Sequence, residues 1–244
     1  MSAPLLSYEE AAAVVAARAA ELALAAPATE QVELGRAAGR VLARPIVADL
    51  DQPPFARSTR DGFACRAAEA NAHKPLRLAG AARAGDSPSG PLAVGAAWEI
   101  MTGAPVPEGA DAVFMLEHAE TAGGRVRLLA PRTVKPGENI VARGAQGRAG
   151  DELLAAGSLL EAGQIALAAA CGCATVEVFA RPRVAILTTG DELVPVASTP
   201  APGQIRNSNA PMLAALVASA GGEAWVLPTA ADNAAALDAA LTQA

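Results

Sequence analysis

The N-terminal part of the chain carries the residue spacing of a capped helix. Ser7 is a suitable N-cap and Glu10 follows three residues later as a capping box, so the Ala-rich run Ala11–Ala26 is predicted to be a helix. The same pattern at Ser158–Glu161 predicts a capped helix over Gln164–Cys171. Strands are predicted near these helices at Gln31–Leu34 and Thr175–Phe179, and Ala43–Ala48 is predicted to be an extended segment through Pro45.

The middle of the chain changes to short apolar runs separated by glycine, proline and aspartate. This spacing predicts a small all-β unit with many turns. The segments that flank these runs, Asp49–Phe63 and Pro131–Arg143, are too polar and too rich in proline for regular elements. The predicted strands are Leu76–Ala79, Ala97–Met101, Ala112–Glu117 and Arg125–Leu129.

The last third of the chain has the pattern of a parallel α/β sheet. Val184–Thr188 is an apolar run suited to a strand buried on both faces, and Asn209–Ala220 is a predicted helix that stops at two glycines. Glu223–Leu227 is a second predicted strand, and Asp232 is expected to cap a last helix that runs to Ala244. Two strands are too few to complete such a sheet, so we expect the chain to be a truncated protein or a fragment.

The polar loop before the β-rich part is a candidate binding site. The guanidinium groups of Arg57 and Arg60 suit a phosphate or another oxyanion, and Asp61 could orient a metal or a hydroxyl group. An exposed loop held by an Arg–Asp pair is the alternative interpretation. Thr102, where a strand end turns through Gly103, could contact a ligand, although a plain β-turn is the default interpretation.

A second candidate site follows the predicted strand Val184–Thr188. Ligands of α/β proteins bind at the carboxyl ends of parallel strands. Thr189 and Gly190 lead there into Asp191 and Glu192, whose carboxylates could bind Mg²⁺ or act in acid–base chemistry. A solvated acidic turn is the alternative interpretation.

The start of the next helix adds a cation and several hydrogen-bond donors to this second site. Arg206, Asn207, Ser208 and Asn209 lie where the backbone N–H groups of a helix favour an anion. Ser208 or Asn209 could also serve only as the helix cap. We expect capping and ligand binding to occur together.

Composition limits the classes of function. Hydrophobic residues make up 52% and charged residues 18%, so the chain can bury a core. A net charge of -6 argues against nucleic-acid binding. We expect a cytoplasmic protein that is not membrane-bound, because the sequence has neither a signal peptide nor a long apolar run. The three cysteines, Cys65, Cys171 and Cys173, fit a reducing compartment and are expected to be small buried thiols rather than a metal or redox site.

Five motifs span nearly the whole chain in one order. They are P-P-F-A-R-S-T-R-D-G-F-A (Pro53–Ala64), I-M-T-G-A-P-V-P-E-G-A-D-A-V (Ile100–Val113), P-G-E-N-I-V-A-R-G (Pro136–Gly144), V-A-I-L-T-T-G-D-E-L (Val184–Leu193) and G-Q-I-R-N-S-N (Gly203–Asn209). In this order they resemble the molybdopterin molybdenumtransferases, the family of MoeA and the gephyrin E domain. Members of that family take adenylylated molybdopterin and molybdate, use Mg²⁺, insert molybdenum at the dithiolene and release AMP.

The resemblance also implies an architecture of α/β plus β class, in an elongated multidomain protein. Residues 1–52 and 144–180 would form a helical and β linker domain, and residues 53–143 an inserted β-rich domain. Residues 181–244 would be an incomplete parallel α/β domain that binds molybdopterin. Family members are usually homodimers whose sites combine the inserted domain of one subunit with the α/β domain of the other.

Site residues follow from the matched motifs. The resemblance implies catalytic roles for Asp61, Thr102 and Glu192, with Asp191 and Glu192 as metal ligands. The residues that it implies for binding the pterin substrate are Ser58, Arg143, Thr189, Gly190, Asp191, Asn207 and Ser208.

The sequence departs from the family pattern at three places. Ala56 replaces an acid, Thr59 and Arg60 replace Ala-Met, and Ala145–Gln146 replace Glu-Asp. Gln146 thus stands where an acidic site residue is expected, and the Gly-rich loop and C-terminal β domain of the family lie beyond Ala244. A non-catalytic relative that binds the pterin, or a dimer-forming scaffold in which the Ala11–Ala26 helix packs across a two-fold axis, are therefore the alternative functions.

Overall fold

The computed structural model describes residues 5–23, 27–87 and 90–244, which form five α-helices and sixteen short strands. The helices are α1 (Tyr8–Ala23), α2 (Ala67–Ala70), α3 (Ala162–Ala170), α4 (Asn209–Ser219) and α5 (Ala234–Gln243). The strands are β1 (Thr29–Glu33), β2 (Ile46–Val47), β3 (Arg57–Ser58), β4 (Gly62–Cys65), β5 (Leu76–Ala82), β6 (Ala96–Ile100), β7 (Ala112–Met115), β8 (Ala119–Ala122), β9 (Arg125–Leu128), β10 (Ile140–Val141), β11 (Glu152–Leu154), β12 (Thr175–Phe179), β13 (Arg183–Ile186), β14 (Leu193–Val194), β15 (Ile205–Arg206) and β16 (Glu223–Val226).

The described chain divides into two compact units. The first unit comprises described residues of Met1–Arg44, Ala156–Ala166 and Ala174–Ala244, and the second comprises those of Pro45–Ala155 and Leu167–Cys173. The three-domain division drawn from the family resemblance stays a prediction.

The second unit is built on a six-stranded sheet in the order β7-β4-β6-β5-β9-β8. Its pairs are antiparallel except for β5 with β6, which run parallel. The four strands predicted in this part of the chain are confirmed as β5, β6, β7 and β9. The prediction of irregular flanks was wrong in part, because β3 and β4 form within or at the end of one flank and β10 forms in the other.

Strand β4 is buried on both faces of this sheet. Phe63 and Cys65 point into one apolar cluster, where the Phe63 and Phe114 rings lie 5.4 Å apart, and Ala64 points into the other. Gly62 begins the strand with no room for a side chain, because a Cβ there would lie 2.1 Å from the carbonyl oxygen of Phe114. Small residues therefore let the neighbouring strands pack closely around β4.

A pair of antiparallel strands joins the two ends of the long segment that forms most of the second unit. Ile46 pairs with Leu154 and Val47 with Glu152 between β2 and β11. The pairing continues inward, because the Gln52 N–H donates to the Gly147 carbonyl at 2.8 Å and the Gln146 N–H donates to the Gln52 carbonyl at 2.8 Å. The first and last residues of this segment therefore lie next to each other.

The first unit contains an antiparallel pair, β1 with β12, and two parallel pairs, β13 with β16 and β14 with β15. Helix α4 connects β15 to β16 and packs on β13 and β16. The predicted parallel arrangement of the last third is thus confirmed. The expectation that its first strand is buried on both faces was wrong, because Val184 is 39% exposed and only Ile186 in β13 is buried.

Of the predicted helix caps, one is confirmed and the others are wrong. The Ser7 capping box is confirmed, since the Glu10 N–H donates to Ser7 Oγ at 3.2 Å and the Ser7 N–H donates to the Glu10 carboxylate at 2.8 Å. Residues 24–26 of the predicted first helix lie outside the described residues. Ser158 does not cap α3, because the helix begins four residues later, at Ala162; the Ser158 carbonyl accepts the Leu42 N–H. The cap of α5 is Asn233, whose Oδ1 accepts the Ala236 N–H at 2.9 Å, and not Asp232.

Replacing Gly62 with alanine should destabilise the protein by at least about 2 kcal/mol, because the new methyl group must displace the Phe114 carbonyl or push neighbouring strands of the buried sheet away from each other. Urea denaturation measures the loss. Gly35→Ala is the control, since a Cβ at Gly35 meets nothing within 4 Å and should change stability by less than about 0.5 kcal/mol. Equal stability of the two variants would contradict the packing described for β4.

Candidate functional site

Asp61 and Thr102 form a hydrogen-bonded pair at one end of the sheet of the second unit. Asp61 precedes β4 and Thr102 follows β6, and these strands are antiparallel neighbours with Gly62 opposite Ile100. One carboxylate oxygen, Asp61 Oδ1, accepts the Thr102 N–H at 2.6 Å and the Thr102 hydroxyl at 2.8 Å. Both side chains are exposed, so the pair can meet a ligand from solvent.

The two hydrogen bonds from Thr102 lower the pKa of Asp61. The backbone N–H has the larger effect and the hydroxyl adds to it, while partial desolvation opposes them. The Asp61 side chain is therefore a carboxylate at neutral pH. Within the described ranges, Oδ2 accepts no hydrogen bond, which leaves it open to a metal ion or a donor group of a ligand.

Ser58 shapes the loop that leads to Asp61. Its side chain is buried, with 2% of the residue exposed, and its hydroxyl donates to the Arg60 carbonyl at 2.6 Å. Its backbone pairs with the turn after β6, because the Gly103 N–H donates to the Ser58 carbonyl at 2.8 Å and Gly103 has a φ of 83°. The hydroxyl of Ser58 therefore holds the loop, and its role in substrate binding stays a prediction.

Arg57 and Arg60 do not pair with Asp61 among the described residues. Among the residues that the structure describes, neither Arg57 nor Arg60 makes an ion pair. Thr102 holds Asp61 instead, so the alternative of a loop fixed by an Arg–Asp pair was wrong. The guanidinium groups remain able to bind an oxyanion near the same loop.

Arg143 is held by an acid that the sequence did not single out. Asp51 Oδ2 accepts the Arg143 Nε–H at 2.6 Å, and its Oδ1 accepts the Ala149 N–H at 3.0 Å. The bond from Ala149, followed by the bond from Arg143, lowers the pKa of Asp51. No local signal could have found this contact, because Asp51 and Arg143 lie 92 positions apart. Gln146 lies in the same turn with an exposed side chain.

In the first unit, Thr189, Gly190, Asp191 and Glu192 form a tight turn after β13. Gly190 has a φ of 142°, and a Cβ there would lie 2.6 Å from Glu192 Oε2, so the Glu192 carboxylate lies against the backbone of the glycine. Asp191 Oδ1 accepts the Asp232 N–H at 3.1 Å. Thr189 is exposed and bridges to Ala230 in parallel register. The turn thus presents two exposed carboxylates on a constrained backbone.

Asn207 is the centre of a polar network beside this turn. Its side-chain nitrogen donates to the hydroxyl oxygens of Thr188 at 2.8 Å and Thr229 at 3.2 Å, and its Oδ1 accepts the Ala210 N–H at 3.1 Å. Asn207 is 9% exposed and Thr188 is 8% exposed. Ser208 stands at the N-cap position of α4 but makes no side-chain cap bond, and Asn207 makes that bond instead, so the prediction that the Ser208 or Asn209 side chain caps the helix was wrong.

The resemblance assigns both Asn207 and Ser208 to ligand binding, but the two residues differ in their surroundings. The amide group of Asn207 is occupied by three protein partners, whereas Ser208 is exposed at the first turn of α4. Thr229 is a member of the network that the sequence prediction missed. Nothing in the local sequence indicated it, because Thr229 lies 22 residues after Asn207 in a loop.

A metal ion would find few protein ligands in the described part of the chain. In that part, no three His, Cys, Asp or Glu side chains gather as a ligand set. Asp191 and Glu192 nevertheless fit Mg²⁺, which is often bound by one or two carboxylates together with substrate phosphates and water. Cys65 and Cys171 are buried free thiols, as expected, and burial raises the pKa of Cys65 to about 12. No helix in the described ranges is long and apolar enough to cross a bilayer.

Asp61 with Thr102 belongs to the second unit, and the Asp191–Glu192 turn with the Asn207 network belongs to the first. Each unit therefore brings its own predicted residues together. Arg143 and Asp51 also lie in the second unit. The catalytic and binding roles assigned to all these residues stay predictions.

Two family models match the chain. The model described as the MoeA N-terminal region, domains I and II, matches residues 6–172. The model described as a probable molybdopterin binding domain matches residues 185–244. The first match alone covers more than half of the chain.

Individual proteins give the same result. A molybdopterin molybdenumtransferase of Nostoc sp. is 42% identical over 221 residues, which cover 88% of this chain and 50% of that protein. One of Bacillus subtilis is 41% identical and is covered over 46% of its length. The crystal structure of the molybdopterin biosynthesis protein MoeA of Pyrococcus horikoshii matches with a TM-score of 0.80 at 32% identity, over 88% of this chain and 58% of that one. The chain spans about half the length of the curated relatives that it matches.

The Asp61–Thr102 pair can be tested by titration. Replacing Thr102 with valine removes the hydroxyl donor and keeps the backbone N–H, so the pKa of Asp61 should rise toward its ordinary value of 3.8 without reaching it. The lowered pKa of Asp61 stabilises the folded protein at pH values above 3.8, the ordinary pKa of the group. This stabilisation is lost as the pH falls through the lowered pKa of the folded protein. NMR titration of the carboxyl carbon measures the shift.

Thr121→Val, at an exposed threonine of β8, is the control for that titration and should leave Asp61 unchanged. An Asp61 pKa that stays the same in Thr102→Val would show that the hydroxyl bond is absent in solution.

The Asn207 network makes a prediction about stability. Asn207→Ala removes the cap of α4 and leaves two threonine hydroxyls with fewer partners, so unfolding should become easier by about 2–3 kcal/mol. Ser208→Ala is the matched control and should cost less than about 0.5 kcal/mol, because Ser208 is exposed and makes no cap bond. Thermal unfolding followed by circular dichroism distinguishes them. A larger loss at Ser208 would assign the cap to that residue.

Proposed function

Because the chain belongs to the MoeA family of molybdopterin molybdenumtransferases, we propose that its protein inserts molybdenum from molybdate into adenylylated molybdopterin and releases AMP. The observation that carries the proposal is the Asp61–Thr102 pair, formed at the end of the sheet by two of the five motifs that carry the family resemblance. The chain spans about half of its relatives, so the activity belongs to the whole protein.

The proposed role of Asp61 is that of a charged carboxylate at the reacting centre. Its lowered pKa keeps it ionised at neutral pH, and Oδ2 faces no donor in the described chain. Thr102 holds the other oxygen, which fixes the orientation of the carboxylate. Arg57 and Arg60 supply positive charge that suits the incoming oxyanion, molybdate, because a guanidinium group binds oxyanions through paired N–H groups.

Asp191 and Glu192 are the proposed residues for Mg²⁺, which would neutralise phosphate charge as AMP departs. Their support is that both carboxylates are exposed on one short turn. Thr189, Gly190 and Ser208 are the proposed pterin contacts of the same unit, since Thr189 and Ser208 are exposed and Gly190 lies beside them, against the Glu192 carboxylate. Asn207 contributes by fixing the turn and α4 through its network.

We further propose a cytoplasmic homodimer. Helix α1 supports the dimer, because Tyr8, Val14 and Val15 are 84%, 52% and 68% exposed and such an apolar surface suits an interface between two copies. The family resemblance implies that each site combines Asp61 and Thr102 from one subunit with Glu192 from the other. The three free cysteines suit a reducing compartment.

The activity is tested with the full-length protein. Addition of molybdate and Mg²⁺ to protein loaded with adenylylated molybdopterin should release AMP, measured by chromatography. Asp61→Asn and Glu192→Gln should each slow the release by about 10²-fold. Glu108→Gln, at an exposed acid that forms a β-bridge with Pro91, is the matched control and should match the wild type.

Mixing the two inactive variants tests the shared site. In mixed dimers one of the two sites would contain no substitution, so co-expressed Asp61→Asn and Glu192→Gln subunits should recover about a quarter of the wild-type rate. No recovery would assign both residues to a site within one subunit. No AMP release by the wild type, with release gained in an Ala145→Glu and Gln146→Asp double variant, would make the protein a non-catalytic pterin-binding relative.

A further inference from the structure

The first unit contains a large open groove that none of the site residues lines. Its apolar part has a volume of about 900 Å³. Val41 and Leu159 face each other there as a β-bridge and remain 37% and 49% exposed, and Phe179 and Pro182 continue the apolar lining. Large apolar side chains left open to solvent in this way are typical of a surface that binds a partner.

A second cavity of about 550 Å³ continues the groove, because both cavities share Arg40, Ala180 and Arg181. Three arginines line this end, Arg36, Arg40 and Arg181, together with Glu30 and Glu223. The end therefore carries net positive charge in a chain whose net charge is -6. A local cationic patch on an acidic protein attracts anionic groups selectively.

The arginines at this end are only partly satisfied by the protein. Arg40 is largely buried, with 10% of its side chain exposed, and its Nη2 donates to Glu30 and to the Phe179 carbonyl at 2.8 Å. No buried side-chain nitrogen of the described residues lacks a partner, so the remaining N–H groups of Arg40 reach solvent at the cavities. Arg36 and Arg181 make no ion pair with any residue that the structure describes.

The C-terminal end of α4 also lines the groove and disfavours a negative charge. The last residues of α4, Ala218 and Ser219, line the apolar cavity, and the C-terminus of a helix carries partial negative charge. An anionic group is therefore favoured at the arginines and disfavoured at the end of α4. The occupant must carry apolar groups as well as acid.

We propose that this groove binds an acidic peptide segment of a partner protein, with apolar side chains on Val41 and Leu159 and a following carboxylate at Arg36, Arg40 and Arg181. A peptide fits better than a small metabolite, because both cavities are open to solvent and would not enclose a small ligand.

Fluorescence anisotropy with the whole protein tests the proposal. The probe is a fluorescein-labelled peptide of sequence Gly-Ser-Leu-Gln-Leu-Asp-Glu-Asp. It should bind saturably, and binding should weaken as salt is raised. A peptide with serine in place of both leucines and a peptide with lysine in place of the acids should each bind at least about tenfold more weakly.

Variants of the protein locate the binding surface. Arg36→Glu with Arg181→Glu should weaken binding about tenfold, and Leu159→Ser should also weaken it. The matched control is Arg77→Glu with Arg125→Glu, at two exposed arginines on the sheet of the second unit, which should bind as the wild type does. Circular dichroism melting confirms that each variant is folded.

Four results would overturn the proposal. The first is no saturable binding up to about 1 mM peptide. The second is equal binding by the Arg36 and Arg181 double variant and its control, or by the serine peptide. The third is displacement of the peptide by inorganic phosphate at equal concentration, which would make the groove a small-anion site. The fourth is self-association of the wild type that Leu159→Ser abolishes in sedimentation, which would assign the groove to a second copy of the chain.

Discussion

The burial of β4 on both faces is the constraint on which the candidate site of the second unit depends. The two apolar clusters hold the strand in place, and the close approach of Gly62 to the Phe114 carbonyl fixes its register against β7. Asp61 is the residue immediately before this buried strand, so its carboxylate is positioned although it lies on the surface. A polar side chain at the end of a rigid element keeps its geometry at little entropic cost.

The turn of the first unit is held by a different kind of interaction. Asn207 connects the end of β13, the loop after β16 and the start of α4 through hydrogen bonds between side chains and to the backbone. Such a network is directional and loses much of its value when one member is removed. Substitutions at Gly62 should therefore act through packing, whereas substitutions at Asn207 should act through the loss of specific hydrogen-bond partners.

Local patterns predicted much of the secondary structure and failed where distant contacts decide. The strand at Thr175–Phe179, the strands of the large sheet and the Ser7 capping box follow from alternation and spacing, which are local properties. Family motifs singled out Asp61 and Thr102, although no local rule joins two residues 41 positions apart. Asp51 and Thr229 were missed because a lone acid and a lone threonine in a loop have no periodicity. The caps at Asn207 and Asn233 were misplaced by one or two residues because several neighbouring residues are chemically able to cap.

The pairing of β2 with β11 has a consequence for how such a protein can arise and be remade. Since the two ends of the segment meet as adjacent strands, its removal would leave a gap that a short turn could close. A single insertion in a gene can add the segment between β2 and β11 and leave the positions of the flanking residues unchanged. The same geometry suits the exchange of this segment for that of a relative, with the junctions placed in β2 and β11.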